Sequence, residues 1–337
     1  MLNTFGEYQL VETLGRGGAA MVYRAWGPER PDRPREVALK FLHEALLDDD
    51  LAQLAFRWEG RLGLLIQHPN LVRTYGFEIA EGQTALVLEC VEGVSLLALH
   101  HQLLHAPWLI QDQYVVAQLV GQICRGLGTL HEARDDEGSL LRCVHRDVSL
   151  GNVIVDVDGC AKVIDLGVAF AEGRVLRTAT GLVKGKLAYM APEYLQGRAW
   201  DHRLDVWSAG VVLWEMATGR RLFRGSTPSA TVAAVLSADV PDPRVLRHEI
   251  SPALSAIVRV ALDRRPTRRF ANMAEMAGEL EALAARTGNA DPAAVRAWMS
   301  RLPLGPSSGV RRVVRAELPL DPREESTRSL PTKIAGV

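Results

Sequence analysis

The stretch Val144-His145-Arg146-Asp147-Val148-Ser149-Leu150-Gly151-Asn152 constrains this chain more than any other. An aspartate stands five residues before an asparagine, and a second aspartate follows in Asp165-Leu166-Gly167. Between them, Val153-Ile154-Val155 and Lys162-Val163-Ile164 read as short strands joined at Asp158-Gly159, a dipeptide suited to a tight hairpin turn. A hairpin returns the chain on itself. It gathers Asp147, Asn152 and Asp165 into one small volume, three side chains able to handle a proton or a hard cation. The rival reading is a hydrophilic turn ahead of a buried hairpin, and the length of the string and its strand context weigh against it.

A chain of 337 residues is long enough for one large bilobal domain or two small ones. Hydrophobic residues make up 47%, which supplies a sizeable core and excludes wholesale disorder. The net charge of -1 offers no global basic field for nucleic acid or an anionic membrane. Cys90, Cys124, Cys143 and Cys160 form no C-x-x-C pair, which argues against structural zinc and for a reducing compartment. There is no apolar run long enough to span a bilayer and no signal-peptide layout, so a soluble, cytoplasmic protein is expected. Lysine occurs only at 40, 162, 184, 186 and 333, leaving 34 of the 39 basic residues as arginine. Where so few lysines are kept, each is a candidate for a task that arginine's planar fork performs poorly.

Residues 8–14 and 20–26 alternate apolar and polar and read as strands. Between them lies Gly15-Arg16-Gly17-Gly18-Ala19-Ala20, a loop whose bare N–H groups suit close approach to a phosphate. A proline-rich loop over 27–35 precedes Val37-Ala38-Leu39-Lys40, a strand ending in one of the scarce lysines. Leu51 to Gln67 has helical apolar spacing and carries Glu59. Gly60 and Gly63 on that helix each cost about 1 kcal/mol against alanine, so a loosely held helix is expected. Ala85-Leu86-Val87-Leu88-Glu89-Cys90-Val91-Glu92-Gly93 reads as a buried strand running into a polar hinge. Beyond it, Tyr114–His131, Val206–Thr218, Ser251–Leu262 and Asn272–Leu283 read as helices. A short helix over Asp291–Leu302 and a flexible tail over 303–337 are expected to follow.

These strings together resemble a bacterial serine/threonine protein kinase of the eukaryotic-like superfamily, over about residues 5 to 285. Tyr189-Met190-Ala191-Pro192-Glu193 and Asp205-Val206-Trp207-Ser208-Ala209-Gly210 extend the likeness, and Arg269 matches the arginine that pairs with Glu193. The resemblance implies an α+β, bilobal fold: a small antiparallel sheet with one helix over 1–93, a mostly helical lobe over 94–286, then a C-terminal helix and tail over 287–337. It implies protein substrates and ATP as partners, and Mg²⁺ as cofactor. Leu14, Gly15, Gly17, Val22, Ala38, Leu88, Glu89, Val91 and Ile154 would form the nucleotide site. Lys40, positioned by Glu59, would hold the α- and β-phosphates, Asn152 and Asp165 would hold Mg²⁺, and Asp147 would take the hydroxyl proton. Arg146 would receive a phosphate placed on Thr178 or Thr180.

Departures from the family pattern carry their own expectations. Ala20 occupies the third glycine position, Gly63 replaces a large apolar residue, and Leu166 replaces phenylalanine. Ser149 stands where the family has a lysine two residues after the catalytic aspartate, and Lys186 stands where it has a threonine. The paired exchange, in a chain poor in lysine, implies that Lys186 reaches back and supplies the charge that Ser149 lacks; two unrelated substitutions are the alternative. Against the enzyme stand a pseudokinase that scaffolds a signalling complex and a small-molecule phosphotransferase. Oligomeric state is left open.

Overall fold

A six-stranded sheet opens the chain, buried on both faces at its centre, where Val37–Lys40 and Ala85–Leu88 run without an exposed residue. In the computed structural model, residues 4–105, 112–166, 186–286, 292–301 and 311–312 are described. The sheet comprises β1 (Thr4–Phe5), β2 (Tyr8–Arg16), β3 (Ala20–Trp26), β4 (Glu36–Leu42), β5 (Thr74–Ala80) and β6 (Gln83–Glu89). All neighbours pair antiparallel, in the order β1-β2-β3-β4-β6-β5. Helix α1 (Asp50–Leu65) packs on it, its first turn capped by Asp49, which accepts from the Leu51 and Ala52 N–H groups.

A second sheet, in the order β10-β7-β8-β9, contains β7 (Glu92–Ser95), β8 (Val153–Asp156), β9 (Ala161–Val163) and β10 (Arg311–Arg312). The remaining chain is helical: α2 (Leu96–His105), α3 (Gln113–His131), α4 (Pro192–Leu195), α5 (Arg203–Thr218), α6 (Pro228–Ser237), α7 (Pro243–Leu246), α8 (Pro252–Ala261), α9 (Met273–Ala285) and α10 (Pro292–Met299). Helix α5 is buried from Leu204 to Thr218 on every face, as a helix apolar all round must be. The helices α3, α8 and α9 pack with it around the main core. No helix among the described residues is long and apolar enough to cross a membrane.

Two expectations are corrected here. The first is the loosely held α1. A Cβ at Gly60 would overlap the Phe77 ring and Leu86, and one at Gly63 would overlap the Thr74 side chain. The glycines therefore let α1 sit close on β5 and β6. Helix propensity is lost locally and contact is gained across the interface. The second concerns the flexible tail expected over 303–337, of which two residues take a strand. Arg311 and Arg312 pair antiparallel with Gly93 and Glu92 of β7, and the other residues of 303–337 lie outside the described set. Before them, α10 seats on the β8–β9 turn. Gly159 at φ +84° leaves no room for a side chain beneath the Pro292 carbonyl, and Arg296 donates to the Asp158 carbonyl at 3.0 Å.

One buried group gives the fold a pH dependence of its own. His100 on α2 is 1% exposed, and burial pushes its pKa from 6.5 down to about 4, with Arg221 adding to the effect. Between those values the unfolded chain takes up a proton that the folded chain refuses, so stability falls as pH drops below 6.5. The expected loss from this residue between pH 7 and pH 5 is about 2 kcal/mol. Urea midpoints at the two pH values check it: His100→Leu should flatten that limb of the curve.

Candidate active site

Four elements converge on one cleft between the sheet and the helical lobe. Lys40 ends β4's buried run, Glu59 lies on α1, Asp147 and Asn152 flank the turn before β8, and Asp165 follows β9. Lys40 Nζ bonds Glu59 Oε1 at 2.5 Å and Asp165 Oδ1 at 2.7 Å. Burial disfavours the ammonium, but the Asp165 and Glu59 carboxylates outweigh it and hold its pKa above the ordinary lysine value. Burial likewise pushes Glu59 up, against the pull of Lys40. One cation between two carboxylates leaves this cluster with an excess negative charge. Asp165 itself takes a left-handed backbone conformation, φ +58°, which turns its carboxylate back toward Lys40.

The seat of α1 controls this cluster, because Glu59 lies one turn before Gly63. Gly63→Val is expected to force α1 off Thr74, lower the melting temperature by the equivalent of about 1–3 kcal/mol and pull Glu59 from Lys40. Thr74→Ala in the same chain should recover part of both losses, measured by thermal melts and by nucleotide titration.

Asp147 and Asn152 form the second half. Asn152 Nδ2 donates to the Asp147 carbonyl at 2.8 Å and to its Oδ2 at 2.7 Å, which leaves the amide oxygen as its remaining hard donor. Lys186 Nζ contacts the same Asp147 Oδ2. Ser149 is buried in extended backbone at the turn into Leu150–Asn152. The structure thus brings Lys186, not Ser149, to the Asp147 carboxylate. Gly167, Thr178 and Thr180 lie outside the described residues.

Above these groups lies an apolar cluster that joins the two lobes. Leu14, Val22, Ala38, Leu88 and Val91 come from the upper side and Ile154 from β8, with Val72, Leu86, Phe56 and Ile164 behind them. Gly15 pairs with Val22 across β2 and β3. The glycine loop closes through the Gly17 N–H to the Ala20 carbonyl at 2.8 Å, and the Ala20 methyl is buried. Glu89 ends β6 at the hinge, where its side chain takes an ion pair from Lys162 at 3.0 Å. Lys162 also donates to the Pro69 carbonyl at 3.1 Å, so a second scarce lysine ties the hinge to β9.

Several further residues support the site without entering the cleft. His43 Nε2 donates to the Gly17 carbonyl at 2.6 Å and steadies the glycine loop from the end of β4. Asp205, at the start of α5, accepts from the His145 and Arg146 N–H groups at 2.8 Å each and from His131 Nε2 at 2.8 Å. Burial raises its pKa, but the bond and charge of His131, with the His145 ring and N–H, prevail and hold it below the usual carboxylate value. It fixes the backbone that presents Asp147. A fully buried acid heading an apolar helix was the available signal. The Arg146 guanidinium lies 4.0 Å over the Trp200 ring, which Tyr194 meets edge-on; the threonines whose phosphates it was expected to meet lie outside the described residues. Glu193 and Arg269 form a two-pronged ion pair at 2.7 and 2.8 Å.

The comparisons with known proteins agree with this arrangement. Residues 8–279 match the protein kinase domain family. The chain is 34% identical over 284 residues to the tyrosine-protein kinase MasK of Myxococcus xanthus, covering 83% of this chain and 43% of that protein. It is 32% identical over 283 residues to a probable serine/threonine-protein kinase of Streptomyces coelicolor, 82% of this chain and 40% of the relative. It is also 32% identical over 281 residues to the serine/threonine-protein kinase PknB of Mycolicibacterium smegmatis, 81% of this chain and 42% of the relative. The chain spans about two fifths of the length of these relatives. The match runs from the glycine loop through the Lys40 cluster and the Asp147 turn to the Glu193–Arg269 pair, and on that ground this chain belongs to the protein kinase domain family.

Proposed function

We propose that this chain transfers the γ-phosphate of ATP to serine or threonine hydroxyls of protein substrates, with residues 1–93 and 94–286 as the two lobes of the catalytic unit. The observation that carries the reading is Lys40 held between Glu59 and Asp165 while Asp147 and Asn152 face the same cleft. Membership of the family implies ATP and a divalent metal in general. The finer assignment is Mg²⁺ on Asn152 and Asp165. It is supported by two oxygen donors at the mouth of a cluster with excess negative charge. Mg²⁺ characteristically takes one or two protein donors and completes its shell with phosphate and water. A bound Mg²⁺ supplies charge neutralisation of the phosphates.

The chain's own residues do the positioning. The Leu14, Val22, Ala38, Leu88, Val91 and Ile154 side chains suit a flat apolar ring, with the Glu89 and Val91 backbone at its edge. The glycine loop from Gly15 to Gly17, closed by the Gly17–Ala20 bond, lies toward the phosphates without side chains at its glycines. Lys40, fixed by Glu59, sets the α- and β-phosphates, and Asp147 orients the attacking hydroxyl and accepts its proton. Positioning and charge account for such catalysis without a covalent intermediate. A nucleotide-fed reaction and four free thiols suit a cytoplasmic site of action.

A tyrosine specificity is the second reading, favoured by the tyrosine-protein kinase of Myxococcus xanthus among the relatives. The serine/threonine names of the Streptomyces and Mycolicibacterium relatives support the first. Phosphoamino-acid analysis after incubation with labelled ATP, Mg²⁺ and casein decides between them. Phosphoserine or phosphothreonine is expected, and phosphotyrosine alone would move the specificity to the second reading.

A further inference from the structure

The Asp147 carboxylate faces a cleft in which transferred phosphate would place further negative charge. Two like charges at that spot repel unless a cation stands with them. The turn Val148-Ser149-Leu150-Gly151 contains no cation. Lys40 is committed to Glu59 and Asp165, and the Arg146 guanidinium lies over Trp200. Among the described residues, Lys186 is the cation that contacts Asp147.

Its backbone is anchored in the helical lobe while its side chain reaches into the cleft. Lys186 precedes the tight turn Leu187–Tyr189, whose three residues are all buried. The Tyr189 N–H donates to the Lys186 carbonyl at 3.1 Å. The Tyr189 carbonyl accepts from Ser208 of α5 at 2.8 Å, and its hydroxyl donates to the buried Glu215 at 2.7 Å. Arg221 closes that network on both Glu215 and Tyr189. The Lys186 side chain, by contrast, is 28% exposed, beside an Asp147 side chain 26% exposed, so both reach the open cleft. A rigid base that sets its ammonium on the reacting carboxylate is the geometry of a working cation.

We propose that Lys186 is the cation of the transfer step, delivered to Asp147 from the segment before Tyr189 and not from the catalytic turn, so that catalysis requires this segment to be seated on α5. The proposal rests on the kinase reading above. In the step, the substrate hydroxyl oxygen forms a bond to the γ-phosphorus as the bond from that phosphorus to the β-bridging oxygen breaks. ADP departs with that electron pair, and the hydroxyl proton passes to Asp147. Lys186 stays protonated throughout and balances the charge between Asp147 and the transferred group. Arginine's broader fork would fit less well on a single carboxylate oxygen.

The test compares wild type, Lys186→Ala, Lys186→Arg and the double variant Ser149→Lys/Lys186→Ala. Steady-state kinetics on casein with ATP and Mg²⁺ give kcat and KM, and a nucleotide titration and thermal melt accompany each protein. Lys186→Ala is expected to lower kcat by ~10²-fold with nucleotide affinity and melting temperature unchanged, since a cation acting on developing charge is felt in the transition state. Lys186→Arg should retain part of the rate. The double variant should regain about tenfold or more over Lys186→Ala, because it returns a cation to the same carboxylate by another route. A kcat for Lys186→Ala within about threefold of wild type overturns the proposal. So does a fall matched by an equal loss of nucleotide affinity or of thermal stability, which would mark a structural role. A wild-type protein that binds nucleotide with Mg²⁺ but transfers nothing overturns the kinase reading itself, and is told apart by needing no variant.

Discussion

Asp147→Ala is expected to lower phosphotransfer by about 10²- to 10⁴-fold while leaving the fold intact. The asymmetry follows from what Asp147 touches. Its Oδ2 meets Lys186 and Asn152 Nδ2, and both of these remain partly anchored without it. Asn152 Nδ2 still donates to the Asp147 carbonyl, and the Lys186 backbone is held by the Leu187–Tyr189 turn. The backbone of the catalytic turn is itself fixed from Asp205 through the His145 and Arg146 N–H groups. The variant therefore removes the proton acceptor and little else. A melting temperature within a degree or two of wild type, with nucleotide binding retained and kcat collapsed, is the predicted pattern. Retained turnover would remove Asp147 from the chemistry.

Glu193→Ala is expected to have the opposite signature, a large loss of stability. Arg269 has a fully buried side chain, and Glu193 meets both terminal nitrogens. Removing the carboxylate strands a guanidinium where water does not reach, at a cost of about 3–5 kcal/mol. The Asp263 and Arg203 carbonyls at 2.8 and 3.0 Å, and the Trp207 ring 5.0 Å away, soften the loss without cancelling charge. For a domain of this size the melting temperature should fall by on the order of 10 °C. Glu193→Ala/Arg269→Met should recover much of it, because paired removal of a buried ion pair is far cheaper than removal of one partner. A calorimetric scan of the three proteins checks the ordering.

The parts of this protein legible in its sequence are those where function depends on short spacing. Asp147, Asn152 and Asp165 are drawn together by a hairpin that the Asp158-Gly159 turn announces, and the long helices show their apolar period. Of the apolar cluster, Leu14, Val22, Ala38, Leu88 and Ile154 sit on strands the sequence marks, and their grouping as one site came from the family resemblance. What was not legible depends on partners distant in sequence. Gly60 and Gly63 read as weak points by helix propensity alone. Their role appears only once Phe77, Leu86 and Thr74 are seen beneath them. Arg146 carries a motif that predicts a phosphate partner, and nothing local tells that Trp200 lies under it. His43 and Asp205 act through backbone carbonyl and N–H groups, which leave no mark in residue spacing. Lys186 stands between these cases. Its scarcity and its pairing with Ser149 pointed at Asp147, and the 39-residue separation between them is closed only in three dimensions.

On the reading above, this cleft moves a phosphate. The measurement that tests it most directly is the intact mass of the purified protein after incubation with ATP and Mg²⁺, beside Asp147→Ala treated identically and with casein present in a parallel sample. The account predicts mass gained in steps of one phosphate, on the protein or on casein, with no gain in the variant. No gain on either protein, or an equal gain in Asp147→Ala, would contradict it.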